Sequence, residues 1–133
     1  MKAINAKATK GLNLGSKVTA ADNSGARIVR IISVKRGKSR RGRQFGVKIA
    51  DMVKVSVRQG NLETKGKVFE AVVVRVRKPY RRLTGERICF EDNAVVLLKD
   101  EKGNPKGTQV KGVVAREVQE RWPQVARIAT VIV

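Results

Sequence analysis

Five runs of aliphatic and β-branched residues, each ended by turn-forming residues, limit most strongly what this chain can fold into. The strongest run, residues 68–76, contains three consecutive valines from Val72 to Val74. Branched side chains pack well on a pleated surface, so such runs are typical of strands. We predict strands at residues 17–21, 26–34, 47–57, 68–76 and 88–98. This spacing of strands and turns favours a mainly β fold, a small five-stranded closed β-barrel, over a sandwich.

The two ends of the chain have weaker patterns than the middle. Residues 1–15 carry Lys, Ala and Gly with little periodicity and are predicted to form an N-terminal extension. Residues 16–133 are predicted to form one domain, which at this length can bury a core of its own. Within the fifth run, Asp92 and Asn93 indicate a bend.

The C-terminal residues predict short helical turns followed by a strand. Residues 114–121 fit one or two helical turns, and Pro123 either ends them or begins another turn. Residues 130–133 predict a last strand. We interpret Trp122, the only tryptophan, as an anchor that pins these turns onto the barrel. The alternative is a hot spot for binding another protein, where Trp is enriched.

The charge of the chain points to a polyanionic partner. Thirty Lys and Arg against 11 Asp and Glu give a formal net charge of +19. Nucleic acid is favoured over an acidic membrane, because no basic amphipathic helix and no apolar run near 18 residues is present. Residues 1–50 contain 13 Lys and Arg but a single acid, Asp22, so the contact is expected to lean on this half.

A first basic cluster interrupts the strands between residues 35 and 43. Gly37 and Gly42 lie within it and let the backbone approach a phosphate chain, while Arg can grip phosphate through two parallel hydrogen bonds. A solvated hairpin tip kept basic for solubility is the weaker interpretation, because unpaired like charges repel one another. The predicted RNA-binding residues here are Lys35, Arg36, Lys38, Arg40, Arg41 and Arg43.

A second basic cluster surrounds Pro79 and Tyr80 and contains one acid, Glu86. Tyr80 either packs at the rim of the barrel or stacks on an unpaired base, as aromatic rings do in RNA recognition. The predicted phosphate-binding residues here are Arg75, Arg77, Lys78, Arg81, Arg82 and Arg87.

The sequence offers little for catalysis or metal binding. Histidine is absent, and Cys89 is the only cysteine, so neither an internal disulfide nor a thiolate cluster can form. We predict Cys89 to be a small core residue. Glu91 and Asp92 would point to opposite faces of a strand, which makes them a poor acid–base pair. We therefore predict no catalytic residue, no metal and no cofactor, and a soluble protein of a reducing compartment.

Three separated motifs resemble one family. The Ala-Asp-Asn-Ser-Gly-Ala-Arg sequence at residues 21–27 is similar to the opening motif of the universal large-subunit ribosomal protein L-fourteen family. Residues 71–97 resemble its signature, and Gly107, Thr108 and Gly112 also match. The resemblance covers roughly residues 16–133, and the N-terminal extension is similar to the archaeal and eukaryotic branch. Thr84 departs from the Asp, Asn or Ser that the family usually has before the glycine at Gly85.

The resemblance implies a five-stranded barrel with a projecting basic β-ribbon and short C-terminal helices. It further implies a cytoplasmic ribosomal protein that binds large-subunit rRNA through its basic arms. Such a protein lies at the subunit interface and contributes to bridges with small-subunit rRNA. Neighbouring large-subunit ribosomal proteins and an anti-association or silencing factor are implied partners; a membrane is not. Residues 107–127 would form the protein-contact region, with Arg116, Glu117, Arg121 and Trp122 as its candidates.

Two other functions remain open from the residues alone. A free-standing single-strand RNA binder or chaperone would present aromatic side chains as a platform on the sheet. A basic enzyme acting on RNA would need an acid–base pair or a metal cluster, for which the sequence offers no candidate.

Overall fold

The computed structural model describes residues 2–35, 37 and 45–133, and strands are far more abundant than helices among them. The described strands are β1 (Ala6–Lys7), β2 (Leu12–Asn13), β3 (Lys17–Ala20), β4 (Ala26–Val34), β5 (Gly46–Val47), β6 (Met52–Gly60), β7 (Val68–Arg75), β8 (Tyr80–Arg82), β9 (Arg87–Ile88), β10 (Ala94–Leu98), β11 (Val110–Val114) and β12 (Ala129–Ile132). The described helices are α1 (Arg116–Arg121) and α2 (Pro123–Arg127).

Five of these strands form a closed barrel in the order β10-β3-β4-β6-β7. Strands β3, β4, β6, β7 and β10 pair successively in antiparallel fashion. The barrel closes where β10 runs parallel to β3, with Ala94 opposite Thr19 and Val95 opposite Ala20. The prediction of a five-stranded closed barrel is therefore confirmed.

The core of the barrel is aliphatic, as the low aromatic content requires. Val29, Val55 and Leu97 are among its fully buried side chains, each of which contributes about 1.5–3 kcal/mol on burial. All five residues of β10 are buried, as are the last five of β7. Both faces of these strands are therefore covered, which explains why their sequences read as continuous apolar runs rather than alternating ones.

Two of the five predicted strands are interrupted. The run at residues 47–57 divides into β5 and β6, because Ala50 adopts a left-handed φ of 65° between them. The run at residues 88–98 divides into β9 and β10, with the predicted bend at Asp92 and Asn93 between them. The prediction that Cys89 is a core residue is wrong: the side chain is exposed in this gap between strands.

The C-terminal residues cover one side of the barrel. Pro123 begins α2 rather than only ending α1, and the last strand is β12, which pairs in parallel with β11. Strand β11 is not among the strands predicted from the sequence. The Trp122 ring is buried and its Nε1–H donates to the carbonyl oxygen of Ala50 at 2.9 Å. Trp122 is thus the predicted anchor, and its burial leaves the hot-spot interpretation without support.

A small ribbon projects from the barrel after β7. Strands β8 and β9 form a hairpin whose tip contains Gly85 in a left-handed conformation with φ 92°. The N-terminal extension adds a third strand, since β1 pairs with β8, while β2 pairs with β5. No helix among the described residues is long and apolar enough to cross a membrane.

Candidate nucleic-acid interface

Three cations form a row across the three-stranded ribbon sheet. Lys7 of β1 lies opposite Arg81 of β8, and Arg81 lies opposite Arg87 of β9. All three side chains are exposed, and none takes part in an ion pair with another described residue. Adjacent strands lie about 4.8 Å apart, so the row spans about 10 Å. Like charges placed directly opposite one another destabilise a sheet, and a polyanion would relieve that repulsion.

The opposite face of the same sheet packs inward. Tyr80 and Arg82 flank Arg81 on β8 and are buried, as the two-residue period of a strand requires. Ile88 lies opposite Tyr80, and Ala6 lies opposite Arg82. Neighbouring arginines in this cluster therefore have opposite environments, one facing solvent and the other the interior.

Arg82 and Tyr80 converge on one buried carboxylate. The Arg82 Nε donates to Oε1 of Glu117 at 2.8 Å, and the Tyr80 hydroxyl donates to Oε2 at 2.7 Å. A further donation from Arg82 Nη2 reaches the Val133 carbonyl oxygen at 2.7 Å. Arg82 is 6% exposed and Glu117 3% exposed, so this is an internal ion pair.

The pKa values in this group reflect burial and the shared carboxylate. Burial, together with the hydrogen bond and negative charge of Glu117, raises the pKa of the Tyr80 hydroxyl. For Arg82, burial acts to lower the pKa, but the hydrogen bond and charge of Glu117 outweigh it and the pKa is raised. Tyr80 remains neutral and Arg82 charged over the physiological range.

These contacts decide between the two interpretations of Tyr80 and correct two sequence predictions. Tyr80 packs at the rim of the barrel, which is the first of its two interpretations, and is not placed to stack on a base. Arg82 is not on the exposed basic surface, because its charge is neutralised internally by Glu117. Glu117 is not on the protein-contact surface, because both of its carboxylate oxygens accept hydrogen bonds within the fold.

Arg75 is a structural residue for a similar reason. Its Nε and Nη2 donate to the two carboxylate oxygens of Asp92 at 2.8 and 3.1 Å. Its Nη1 donates to the carbonyl oxygens of Lys111 and Val113. The buried guanidinium thereby ties β7 to β11, and the prediction that Arg75 contacts phosphate is withdrawn.

Arg77 and Lys78 remain exposed in the segment between β7 and β8. The Arg77 backbone N–H donates to Oδ1 of Asn93 at 2.9 Å, which fixes the start of the segment. The carbonyl oxygen of Pro79 accepts from the Thr9 hydroxyl at 2.8 Å. Both side chains are thus presented from a well-anchored backbone beside the cationic row.

Most of the first basic cluster lies outside the described residues: Arg36, Lys38, Arg40, Arg41 and Arg43. Lys35 is exposed and its Nζ lies 3.5 Å from Oε2 of Glu101. An exposed pair of this kind contributes little, at most about 1 kcal/mol, so Lys35 can exchange Glu101 for another anion.

The candidate protein-contact residues have mixed environments. Arg116 is exposed. Arg121 is largely internal: its Nε donates to the Lys2 carbonyl oxygen at 2.7 Å, and its Nη1 lies 3.6 Å from Oδ1 of Asp51. Burial lowers the pKa of Arg121 and raises that of Asp51. Arg121 therefore holds the N-terminal extension and the Ala50 turn together, and of the four candidates Arg116 alone has an exposed side chain.

The motif at residues 21–27 forms hydrogen bonds that connect it to β10 and to the segment before β11. Asp22 is buried and accepts hydrogen bonds from the Ser24 hydroxyl and the Leu97 backbone N–H. Asn23 Oδ1 accepts from the backbone N–H of Thr108 at 2.8 Å. Burial raises the pKa of the Asp22 carboxyl. Two motifs far apart in sequence are thereby joined at one corner of the barrel.

Lys7 is the functional candidate that the sequence did not single out. Residues 1–15 show little periodicity, and only the pairing of β1 with β8 places Lys7 beside Arg81. Within the described ranges there is no group of three or more Cys, Asp or Glu residues suited to a metal ion.

Comparison with known proteins identifies the family. The sequence profile described as Ribosomal protein L14p/L23e matches residues 11–133. The large ribosomal subunit protein uL14 of Nanoarchaeum equitans is 52% identical over 133 residues, covering all of both chains. The proteins of the same name from Thermoplasma acidophilum and Halobacterium salinarum are each 48% identical, again over the full length of both chains.

The matches confirm the resemblance seen in the motifs and its archaeal character. Proteins of this family are structural constituents of ribosomes, so the prediction that the chain is not an enzyme is also confirmed. The chain belongs to the ribosomal protein L14p/L23e family.

Proposed function

We propose that this chain is a cytoplasmic constituent of the large ribosomal subunit that binds large-subunit rRNA through its ribbon sheet and basic arms. It lies at the subunit interface and contributes to bridges with small-subunit rRNA. The observation that carries the rRNA-binding proposal is the exposed row of Lys7, Arg81 and Arg87. Arg77 and Lys78 extend this surface, and the arm at residues 35–43 forms a second contact.

Phosphate contacts account for this binding better than contacts to base edges. A-form RNA hides its base edges in a deep and narrow groove, so an exposed row of cations meets mainly the backbone. Each phosphate neutralised releases counterions, and the affinity therefore falls steeply with salt.

The test removes the row and compares it with a charge-matched control. Lys7, Arg81 and Arg87 are replaced together by Ala, and the control replaces Lys65, Lys67 and Lys102, which are exposed in turns. Loss of three phosphate contacts lowers the affinity for large-subunit rRNA about a hundredfold at 0.1 M salt and reduces the salt slope by about 2–3. The control retains most of the affinity. Equal losses in the two variants would show that net charge, not the row, determines binding.

Sedimentation tests the assignment to the ribosome. The tagged chain is expected to travel with the large subunit and with joined ribosomes through a high-salt wash. Recovery in the light fractions at physiological salt would contradict it and favour a free-standing RNA binder. The aromatic side chains argue against that alternative: Tyr80 and Trp122 are buried, and lysines lie over the rings of Phe45 and Phe69.

The protein partners are proposed to be neighbouring large-subunit ribosomal proteins and an anti-association or silencing factor. Arg116 on α1 is the exposed candidate for their contact.

A further inference from the structure

A shallow cleft on the barrel wall lies apart from the ribbon sheet. Its volume is about 340 Å³. The cleft is lined by Leu14, Gly15, Arg30, Ile31, Ile32 and Ser56. Its walls come from β4, β6 and the turn between β2 and β3. The backbone N–H of Gly15 in this turn donates to the Ile31 carbonyl oxygen at 2.7 Å, and this hydrogen bond holds the turn against β4.

One cation, Arg30, lines this cleft, and a second, Lys17, lies next to it. Lys17 of β3 is directly opposite Arg30 of β4 in the antiparallel register, and both side chains are exposed. Directly opposed residues lie about 4.5–5.5 Å apart between their Cα atoms, so one anion can bind both heads. Among the described residues neither takes part in an ion pair.

The Arg30 head lies beside the turn at Gly15. Gly15 has a left-handed φ of 88°, and a Cβ built there would lie 3.5 Å from Nη2 of Arg30. The guanidinium therefore rests against the turn, at the edge of the cleft. The planar guanidinium can present two parallel donors to a phosphate.

Apolar side chains flank these cations. Leu14 is 38% exposed and Ile32 is 45% exposed, and both line the cleft. Cationic heads beside an apolar floor match the two parts of a nucleotide, whose phosphate is anionic and whose base has an apolar face.

The surrounding charge favours a polyanion, which the proposed function identifies as RNA. The only acid among residues 1–50 is Asp22, and it is buried. Lys35 directly follows β4 and lies five residues, or about 16 Å, beyond Arg30. An RNA strand bound by Lys35 can thus extend onto the cleft.

We propose that this wall cleft binds an unpaired nucleotide of an RNA strand. The phosphate lies between Lys17 and Arg30, and the base lies against Leu14 and Ile32. The inference rests on the proposed rRNA binding and adds to it a second site that takes single-stranded RNA.

The experiment compares a large-subunit rRNA fragment containing unpaired nucleotides with a duplex of the same length. The full chain is used in four forms: wild type, K17A/R30A, I32S and the charge-matched control K65A/K67A. Affinity and its salt slope are measured for each, and thermal unfolding checks that every variant is folded. Removal of two opposed like charges is not expected to destabilise the barrel.

We expect K17A/R30A to lose about fivefold in affinity for the fragment with unpaired nucleotides at 0.1 M salt, and to lose about 0.7 in slope, because the two cations neutralise one phosphate. I32S is expected to lose affinity without a change in slope, because it removes an apolar contact and no charge. Duplex binding is expected to be unchanged in both variants.

The outcomes separate this inference from the proposed function. If the wild type binds neither RNA, the proposed function itself fails. If it binds the fragment and both cleft variants match the control, the cleft is not a nucleotide site while rRNA binding stands. A cleft variant that keeps full RNA affinity but loses an acidic protein partner in pull-downs from ribosomes would also overturn the inference.

Discussion

Replacement of Glu117 by Ala should destabilise the fold more than most single substitutions. The change removes the acceptors of the Arg82 Nε and of the Tyr80 hydroxyl, at 2.8 and 2.7 Å. Arg82 then keeps its charge with the Val133 carbonyl oxygen as its one remaining close acceptor. Removal of one partner of a buried ion pair costs about 3–5 kcal/mol. Single domains are stable by about 5–15 kcal/mol in total, so E117A is expected to be marginal.

Urea unfolding followed by circular dichroism measures this loss. The control is Glu120→Ala on the same helix, whose carboxylate accepts a single long hydrogen bond of 3.4 Å from the Asn5 N–H. The control is expected to lose less than about 0.5 kcal/mol, as is usual for partly exposed positions.

A double variant separates charge burial from loss of packing. R82M/E117L removes both charges while it keeps apolar volume, and it should cost less than the sum of R82M and E117L. A loss of under about 1 kcal/mol for E117A, or two single losses that simply add, would show that the buried ion pair does not behave as a coupled unit.

Two further predictions concern the anchor and the buried carboxylate. Trp122→Phe keeps most of the buried ring but loses the hydrogen bond to Ala50, and it should lower the free energy of unfolding by about 1–2 kcal/mol. Trp122→Ala also removes the ring and should cost about 3–5 kcal/mol, as measured by urea unfolding. Equal losses in the two variants would mean that the ring contributes nothing beyond the hydrogen bond. The raised pKa of Asp22 means that its contribution to stability is greatest below its unfolded pKa and is lost as the pH rises through the folded pKa. The free energy of unfolding of the wild type relative to Asp22→Asn should therefore increase between pH 7 and pH 4 in urea titrations; a flat or falling difference would contradict the raised pKa.

The barrel strands were predictable because the residues of each strand are themselves mostly apolar and branched, so the pattern is visible without knowledge of distant contacts. A run such as residues 26–34 is rich in branched side chains over its full length, and β4 has the same bounds. The break between β5 and β6 was not predictable, because it depends on distant partners. The Ala50 N–H donates to the Val73 carbonyl oxygen, and the Ala50 carbonyl oxygen accepts from Trp122, 72 residues away. No glycine marks this turn, so the local sequence resembles a continuous strand.

The positive charge of the candidate site was predictable from the sequence, but which of its side chains face solvent was not. The sequence places Arg81 and Arg82 in one basic cluster with nothing to distinguish them. The structure separates them, because Glu117 neutralises Arg82 from a helix 35 residues further along the chain. Lys7 shows the converse case: an unremarkable lysine joins the site through a strand pairing that spans more than 70 residues.

The buried ion pair also determines which residues of the ribbon are exposed to solvent. Side chains on a strand alternate between faces, so a shift of β8 by one residue would turn Arg81 inward and Arg82 outward. A shift of this kind would remove the Tyr80 hydroxyl from the Glu117 carboxylate and would bring a tyrosine to the surface. The Tyr80, Arg82 and Glu117 contacts therefore specify the register of β8 as well as stabilising it. The exposed row of Lys7, Arg81 and Arg87 therefore depends on contacts in the interior, because the carboxylate that neutralises Arg82 leaves Arg81 facing solvent, where it is proposed to bind phosphate.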